Sequence, residues 1–176
     1  MSVFLAACRR EKTPYTPVWL MRQAGRYMKD YRALREKTPF IEICKDPALA
    51  AEIAVTAQRK LGVDAAILFS DILLILEPMG FSLEYVKGDG PSIANPLRTS
   101  ADVDRLKAVD PAASMPFGLE AVRQTRKALD PAVPLLGFAA APFTLACYMI
   151  EGGSSTLFTA AKEFMQADWM RWETLM

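Results

Sequence analysis

The stretch DPALAAEIAVTAQRKLGVDAAILFSD, residues 46–71, predicts a helix followed at once by a buried strand. Asp46 is a favourable N-cap, Pro47 suits the first helical position, and Gly62 is a typical terminator. These signals predict a helix over 47–61. AAILF at 65–69 is apolar at every position, which is typical of a strand covered on both faces.

The same order of elements recurs along the chain. MPFGLEAVRQTRKALD at 115–130 predicts another helix, and PLLGFAA at 134–140 predicts another buried strand. VWLM at 18–21 is a short apolar run that we interpret as an earlier strand. Strands separated by helices in this way are typical of a parallel sheet in an α/β protein.

Two further stretches have less regular patterns. LEYVKGDGPSIANPL at 83–97 is rich in turn-forming residues, which predicts an irregular excursion carrying at most a short hairpin. TLFTAAKEFMQADWMRWETLM at 156–176 has a helical pattern without a capping signal at its end. We interpret that ending as a truncation.

The composition is that of one globular domain over 1–176, with 52% hydrophobic and 23% charged residues. Three cysteines without C-x-x-C spacing indicate neither a disulfide framework nor a zinc site, so we expect a reducing, cytoplasmic setting. The first residues predict a helix and not a secretory signal, because their positive charges follow the apolar run. The uncharged run 133–150 contains two prolines and a glycine, so we do not expect it to span a membrane.

Positive charge is concentrated in residues 1–37, which hold nine Lys or Arg against three Asp or Glu. The remainder holds twelve against seventeen, so the net charge of the chain is only +1. A near-neutral chain without aromatic residues interleaved in a basic stripe does not favour nucleic-acid binding. Two interpretations of the basic region 1–37 stay open, namely a solvated surface and a binding site for a polyanion.

Arg22 and Arg26 are the first candidate binding residues, because they flank Gly25 and follow the predicted strand at 18–21. Active-site loops lie at the carboxyl ends of strands in parallel α/β folds, and arginine binds carboxylates through two parallel hydrogen bonds. The alternative is that the two arginines form salt bridges with acids such as Asp30 or Glu36.

Asp71 and Tyr148 follow the other two predicted strands. A partly desolvated carboxylate at the end of AAILF could stabilise a nearby cation. The alternative is that Ser70 or Asp71 caps a helix over ILLILEPMG, residues 72–80. Tyr148 offers a phenol for hydrogen bonding, and the alternative is a core tyrosine on an amphipathic helix.

Three motifs taken together resemble the uroporphyrinogen decarboxylase family, in the same order and at similar separations. They are PVWLMRQAGRYMKDYR at 17–32, ILFSDIL at 67–73 with the MGF and GDGPSI segments that follow it, and GFAAAPFTLACYMIEGGSST at 137–156. The resemblance covers nearly the whole chain.

The resemblance implies a (β/α)8 TIM barrel, of which this chain supplies roughly the first half. It implies a homodimeric carboxy-lyase that needs no cofactor and no metal. The implied reaction removes the four acetate carboxylates of uroporphyrinogen III, giving coproporphyrinogen III for haem biosynthesis. Complete family members are about twice as long and carry a functional histidine and serine in their second half, so we expect activity only from the complete protein.

The resemblance also implies roles for individual residues. Asp71 matches the aspartate that accepts hydrogen bonds from the pyrrole N–H groups, and Tyr148 matches a tyrosine near it. Arg22 is our candidate for orienting the departing carboxylate and delivering the proton. The implied substrate-binding set is Arg22, Gln23, Ala24, Gly25, Arg26, Asp71 and Tyr148.

Two alternative functions stay open. One is a corrinoid-linked methyltransferase of the same superfamily, which would need zinc ligands outside these residues and usually lacks the paired arginines. The other is a non-catalytic fragment that binds a porphyrinogen through Arg22, Arg26 and Asp71.

Overall fold

The computed structural model describes residues 2–86 and 90–176. The α-helices in these ranges are α1 (Val3–Cys8), α2 (Lys29–Lys37), α3 (Phe40–Lys45), α4 (Pro47–Leu61), α5 (Pro111–Ser114), α6 (Pro116–Ala128), α7 (Pro142–Glu151), α8 (Thr159–Ala167) and α9 (Trp169–Leu175). The strands are β1 (Ala66–Ile67), β2 (Leu83–Val86), β3 (Gly90–Ile93) and β4 (Leu135–Leu136). Short 3-10 helices cover Leu74–Leu76 and Ser100–Arg105.

The chain forms two compact units. The first contains Met1–Asp71 and Met115–Phe138, and the second contains Ile72–Ser114 and Ala139–Met176.

Helix α4 confirms the predicted boundaries. The Asp46 carboxylate accepts hydrogen bonds from the backbone N–H groups of Ala48 and Leu49, at 2.9 and 3.0 Å. Such a cap stabilises a helix by about 1 kcal/mol. Gly62 ends the helix in the left-handed conformation, with φ of 63°, which costs glycine nothing because it has no Cβ.

The first unit contains a parallel sheet of β1 and β4, in which Ala66 is opposite Leu135 and Ile67 is opposite Leu136. The predicted parallel pairing is confirmed, but each strand is only two residues long. Helix α4 also packs against α6. Val55 of α4 lies in a buried cluster with Ala66 and Leu129, so the helix and the sheet share one core.

The predicted strand at 18–21 is wrong, because these residues form no strand in the structure. The Val18 carbonyl accepts a hydrogen bond from the backbone N–H of Asp64 at 2.8 Å. The Val18 N–H, however, donates to the Asp64 carboxylate at 2.7 Å. A side chain thus takes the backbone donor that a strand ladder would need.

The second unit begins with the segment after Asp71. A helix over 72–80 was one prediction, but the regular structure there is limited to the 3-10 helix Leu74–Leu76. The hairpin predicted within 83–97 is confirmed as the antiparallel pair β2–β3, and residues 87–89 between the two strands lie outside the described residues.

Helix α7 follows β4 in the chain, as the breakers in the run 133–150 predict. It ends at Gly152, which adopts φ of 84°. Gly153 lies against the hairpin, since a Cβ on it would come within 3.0 Å of the Pro91 carbonyl oxygen. The helical pattern at 156–176 forms two helices, because the Asp168 carboxylate caps α9 by accepting from the Arg171 N–H at 3.1 Å.

Candidate functional site

Asp71 follows β1 at the carboxyl end of the parallel pair and is half-buried. The 3-10 helix that comes after it begins at Leu74, with Leu73 at the N-cap position. The alternative in which Ser70 or Asp71 caps a helix here stays open. Ligands of α/β folds bind beyond the carboxyl ends of the parallel strands, and Asp71 lies at such an end.

Cys44 of α3 is a buried residue, 2% exposed, that the sequence did not single out. Burial, together with the negative charge of Asp71, raises the pKa of its thiol to about 12. The positive charge of the Arg35 guanidinium lowers the pKa of the same thiol, but by less. The thiol therefore stays neutral at physiological pH.

Three aromatic rings pack together where β1 leads toward Asp71. The Phe69 ring lies 5.7 Å from the Tyr31 ring and 6.0 Å from the Phe40 ring, measured between centroids. The Arg35 guanidinium lies 5.5 Å from the centroid of Phe40. Aromatic rings and a cation can together contact a flat, anionic ligand. Sequence reasoning missed this cluster because its members come from three different elements.

The segment 22–26 is attached to β1 by the side chain of Gln23, which is 2% exposed. Its Nε2 donates to the Ala65 carbonyl at 2.7 Å, and its Oε1 accepts from the Ile67 N–H at 3.2 Å. Both ends of the amide are therefore used within the protein. The structure gives this side chain a structural contact, and a substrate contact from Gln23 stays a prediction.

The turn after Gln23 is compact. The Met28 N–H donates to the Gly25 carbonyl at 2.9 Å. The Tyr27 hydroxyl donates to the Gln23 carbonyl, and its ring lies over Gly25, where a Cβ would come within 3.1 Å of a ring carbon. Any side chain at Gly25 would force this ring to move. Ala24 is half-buried in the same turn.

Arg22 and Arg26 are both exposed. Within residues 2–86 and 90–176, neither guanidinium forms an ion pair or donates a hydrogen bond. Asp30, one of the acids considered as their partner, pairs with Lys60 of α4. Two cations adjacent to Gln23 thus remain available for an anionic ligand.

Tyr148 lies on α7 in the second unit and is half-buried. Its neighbours Cys147 and Met149 are buried at 3% exposure each, so Tyr148 lies at the margin of the core of its unit. Both interpretations of Tyr148, a phenol available for hydrogen bonding and a core tyrosine on an amphipathic helix, stay open. Its role beside Asp71 stays a prediction.

The described part of the chain contains no group of three or more His, Cys, Asp or Glu side chains arranged to hold a metal ion. In the same ranges, no helix is both long enough and apolar enough to cross a membrane.

Comparison with known proteins supplies the family. The model of the family described as Uroporphyrinogen decarboxylase (URO-D) matches residues 1–176. A uroporphyrinogen decarboxylase of Carboxydothermus hydrogenoformans is 52% identical over 98% of this chain and 49% of its own length. Another from Sorangium cellulosum is 53% identical over the same shares. The chain thus spans about half the length of these curated relatives.

A solved structure of a methyltransferase from Methanosarcina mazei has a similar fold, with a TM-score of 0.69 over 98% of this chain and 49% of that protein. At 23% sequence identity, this likeness concerns the mixed α/β fold alone. The relatives of about half identity and the family match over the full 176 residues concern the sequence itself, and by them the chain belongs to the uroporphyrinogen decarboxylase family.

Proposed function

We propose that residues 1–176 form the first half of a (β/α)8 barrel in a uroporphyrinogen decarboxylase. The complete enzyme, in this proposal, consists of these residues followed by a C-terminal half like that of the relatives. One barrel domain would then include both compact units. The cytoplasmic location and the homodimer stay predictions.

The observation that supports this function best is that β1 connects two kinds of charged group. Gln23 attaches the segment carrying Arg22 and Arg26 to the backbone of β1. The same strand leads to the half-buried carboxylate of Asp71. A substrate with carboxylates at its periphery and N–H donors at its centre is complementary to both groups.

In the proposed reaction, a proton is added to a ring carbon of one pyrrole, and the ring becomes cationic. The bond between the side-chain methylene and its carboxylate then breaks, carbon dioxide leaves, and the electron pair neutralises the ring. A proton added at the methylene carbon and one lost from the ring carbon complete the step, so that each acetate and one proton give a methyl group and carbon dioxide.

Asp71 would accept hydrogen bonds from the pyrrole N–H groups and stabilise the cationic ring more than the neutral one. Arg22 would orient the departing carboxylate and deliver the proton, while Arg26 would bind a second carboxylate. Tyr148 would donate a hydrogen bond near the same pyrrole. The ring itself takes up the electron pair, so the proposal requires no cofactor.

The test is anaerobic incubation of the complete enzyme with uroporphyrinogen III, followed by oxidation and chromatography of the porphyrins. We expect a product that has lost four carboxylates, with partly decarboxylated intermediates at early times. A substrate that keeps all of its carboxylates would contradict the proposed function.

A further inference from the structure

The two edges of β1 have different partners. On one edge, the N–H groups of Ala66 and Leu68 donate to the β4 side, to Pro134 and Leu136, at 2.9 Å each. On the other edge, the Ala65 carbonyl and the Ile67 N–H bind the Gln23 amide.

The Gln23 amide thus takes the place of the N–H and C=O groups that one residue of a neighbouring parallel strand would offer to β1. In a parallel ladder, one residue donates to the carbonyl of residue i−1 and accepts from the N–H of residue i+1 on the adjacent strand. Gln23 makes this same pair of bonds to the residues on either side of Ala66. The segment at 18–21 is not a strand, so a side chain supplies the pairing that its backbone does not.

The backbone of Gln23 is held as well as its side chain. Its carbonyl accepts from the Tyr27 hydroxyl, and the Tyr27 ring closes over Gly25. Because both its side chain and its backbone carbonyl are held, Gln23 restricts the conformations that the residues next to it in the chain can adopt. Arg22 precedes it directly, and Arg26 lies within the same turn.

We propose that Gln23 is a positioning residue, whose amide fixes the Arg22 and Arg26 segment on β1 so that both guanidinium groups meet substrate carboxylates. This inference rests on the proposed function and assigns Gln23 no substrate contact through its side chain. In an enzyme site, misplacement of the substrate by about 1 Å can lower the reaction rate about a hundredfold, so the position of the two arginines matters.

The test uses the complete enzyme with uroporphyrin, an eight-carboxylate probe that is not turned over, and measures its Kd by fluorescence. Gln23→Met keeps the length of the side chain but removes both hydrogen bonds. We expect Kd to rise about tenfold, because the arginine segment loses its attachment.

Gln58→Met is the matched control. The Gln58 amide of α4 also donates to a backbone carbonyl, that of Val63 at 2.8 Å, and among the described residues it makes no hydrogen bond to the segment 22–26. The same substitution there removes a side chain to backbone bond, and we expect Kd to stay at the wild-type value. If loss of any glutamine-to-backbone hydrogen bond were enough to weaken binding, Kd would rise in both Gln23→Met and Gln58→Met.

Gln23→Glu provides a rescue. A protonated glutamic acid can donate to Ala65 and accept from Ile67 as the amide does, whereas the carboxylate cannot donate. Burial raises the pKa of such a carboxyl group, so it becomes protonated as the pH is lowered from about 8 to about 5. The Kd of Gln23→Glu divided by the Kd of wild type should therefore fall toward one over this range. Amide exchange by NMR should show Ile67 N–H exchanging faster in Gln23→Met, with Leu68 N–H unchanged.

An unchanged Kd in Gln23→Met, or a Gln23→Glu ratio that does not move with pH, would overturn the inference. Failure of the proposed function has a different signature, namely a wild-type enzyme that binds uroporphyrin but leaves uroporphyrinogen intact. The two failures are therefore distinguished by binding and by turnover.

Discussion

Asp30 forms an ion pair with Lys60, which lies thirty residues away on α4. The Lys60 ammonium holds the pKa of Asp30 below its usual range. Asp30 is the acidic residue nearest to Arg26 in the sequence after it, and its ion pair is with Lys60 instead of Arg26. This pairing leaves the two arginines of the segment 22–26 exposed and without an ion pair among the described residues.

Replacing Arg22 or Arg26 by alanine should weaken binding of uroporphyrin by roughly tenfold or more, because each variant loses a charged hydrogen bond to a carboxylate. The dependence of Kd on salt should also become shallower, since fewer charges are paired in the complex. Titration of the complete enzyme at two ionic strengths measures both effects. Arg123→Ala, which removes an exposed arginine paired with Glu120, is the control. Unchanged affinity in both variants would mean that the arginines are not substrate ligands.

Asp71→Asn should lower kcat by about a hundredfold or more while the enzyme stays folded. The amide has nearly the same shape as the carboxylate but lacks the charge that stabilises a cationic pyrrole. Steady-state kinetics with circular dichroism as a check on folding measures the effect. Asp104→Asn, at an exposed aspartate paired with Arg171, is a matched change of the same kind. Turnover of Asp71→Asn within about threefold of wild type would remove Asp71 from the mechanism.

The stability of the enzyme should depend on alkaline pH through Cys44. Its thiol has an ordinary pKa of 9.0 in the unfolded chain and a pKa raised to about 12 in the folded protein. Below pH 9.0 both states are protonated, and above it the unfolded state ionises first. The free energy of unfolding should therefore fall as the pH rises from 9.0 toward about 12.

Urea unfolding of wild type and Cys44→Ala across this range isolates the effect, because other titrating groups are common to both. The variant should start less stable, from the lost packing, and should lose less stability as the pH rises. Cys8→Ala removes an exposed thiol and serves as the control. Parallel curves for wild type and Cys44→Ala would contradict the prediction.

Residues 1–176 expressed alone should associate or remain molten, and should not decarboxylate uroporphyrinogen. Large apolar side chains are exposed in both units, including Met21 at 72%, Leu157 at 69% and Met170 at 79%. Exposed apolar surface favours association. Adding the C-terminal half of a relative should restore both order and activity. Sedimentation, heteronuclear NMR and product analysis test this, and a monodisperse, active chain of 176 residues would show that it is wrong.

Local signals in the sequence were sufficient for helix α4. The Asp46 and Pro47 start and the Gly62 end of α4 were predictable because caps act within one turn, through atoms only a few residues apart. The parallel pairing of β1 with β4 was also predictable, because buried strands alternated with helices along the chain. The three motifs indicated the family for a similar reason, since each consists of short segments that can be read directly from the sequence.

The three-dimensional contacts decided the rest. VWLM has the composition of a strand, but a strand ladder needs a backbone acceptor for its N–H groups, and the Val18 N–H donates to the Asp64 carboxylate instead. The pairing of the Gln23 amide with the backbone on either side of Ala66, and the effect of the Asp71 charge on the Cys44 thiol, each join residues more than twenty positions apart. No local pattern encodes such contacts, because they depend on how the helices pack against the sheet once the chain has folded.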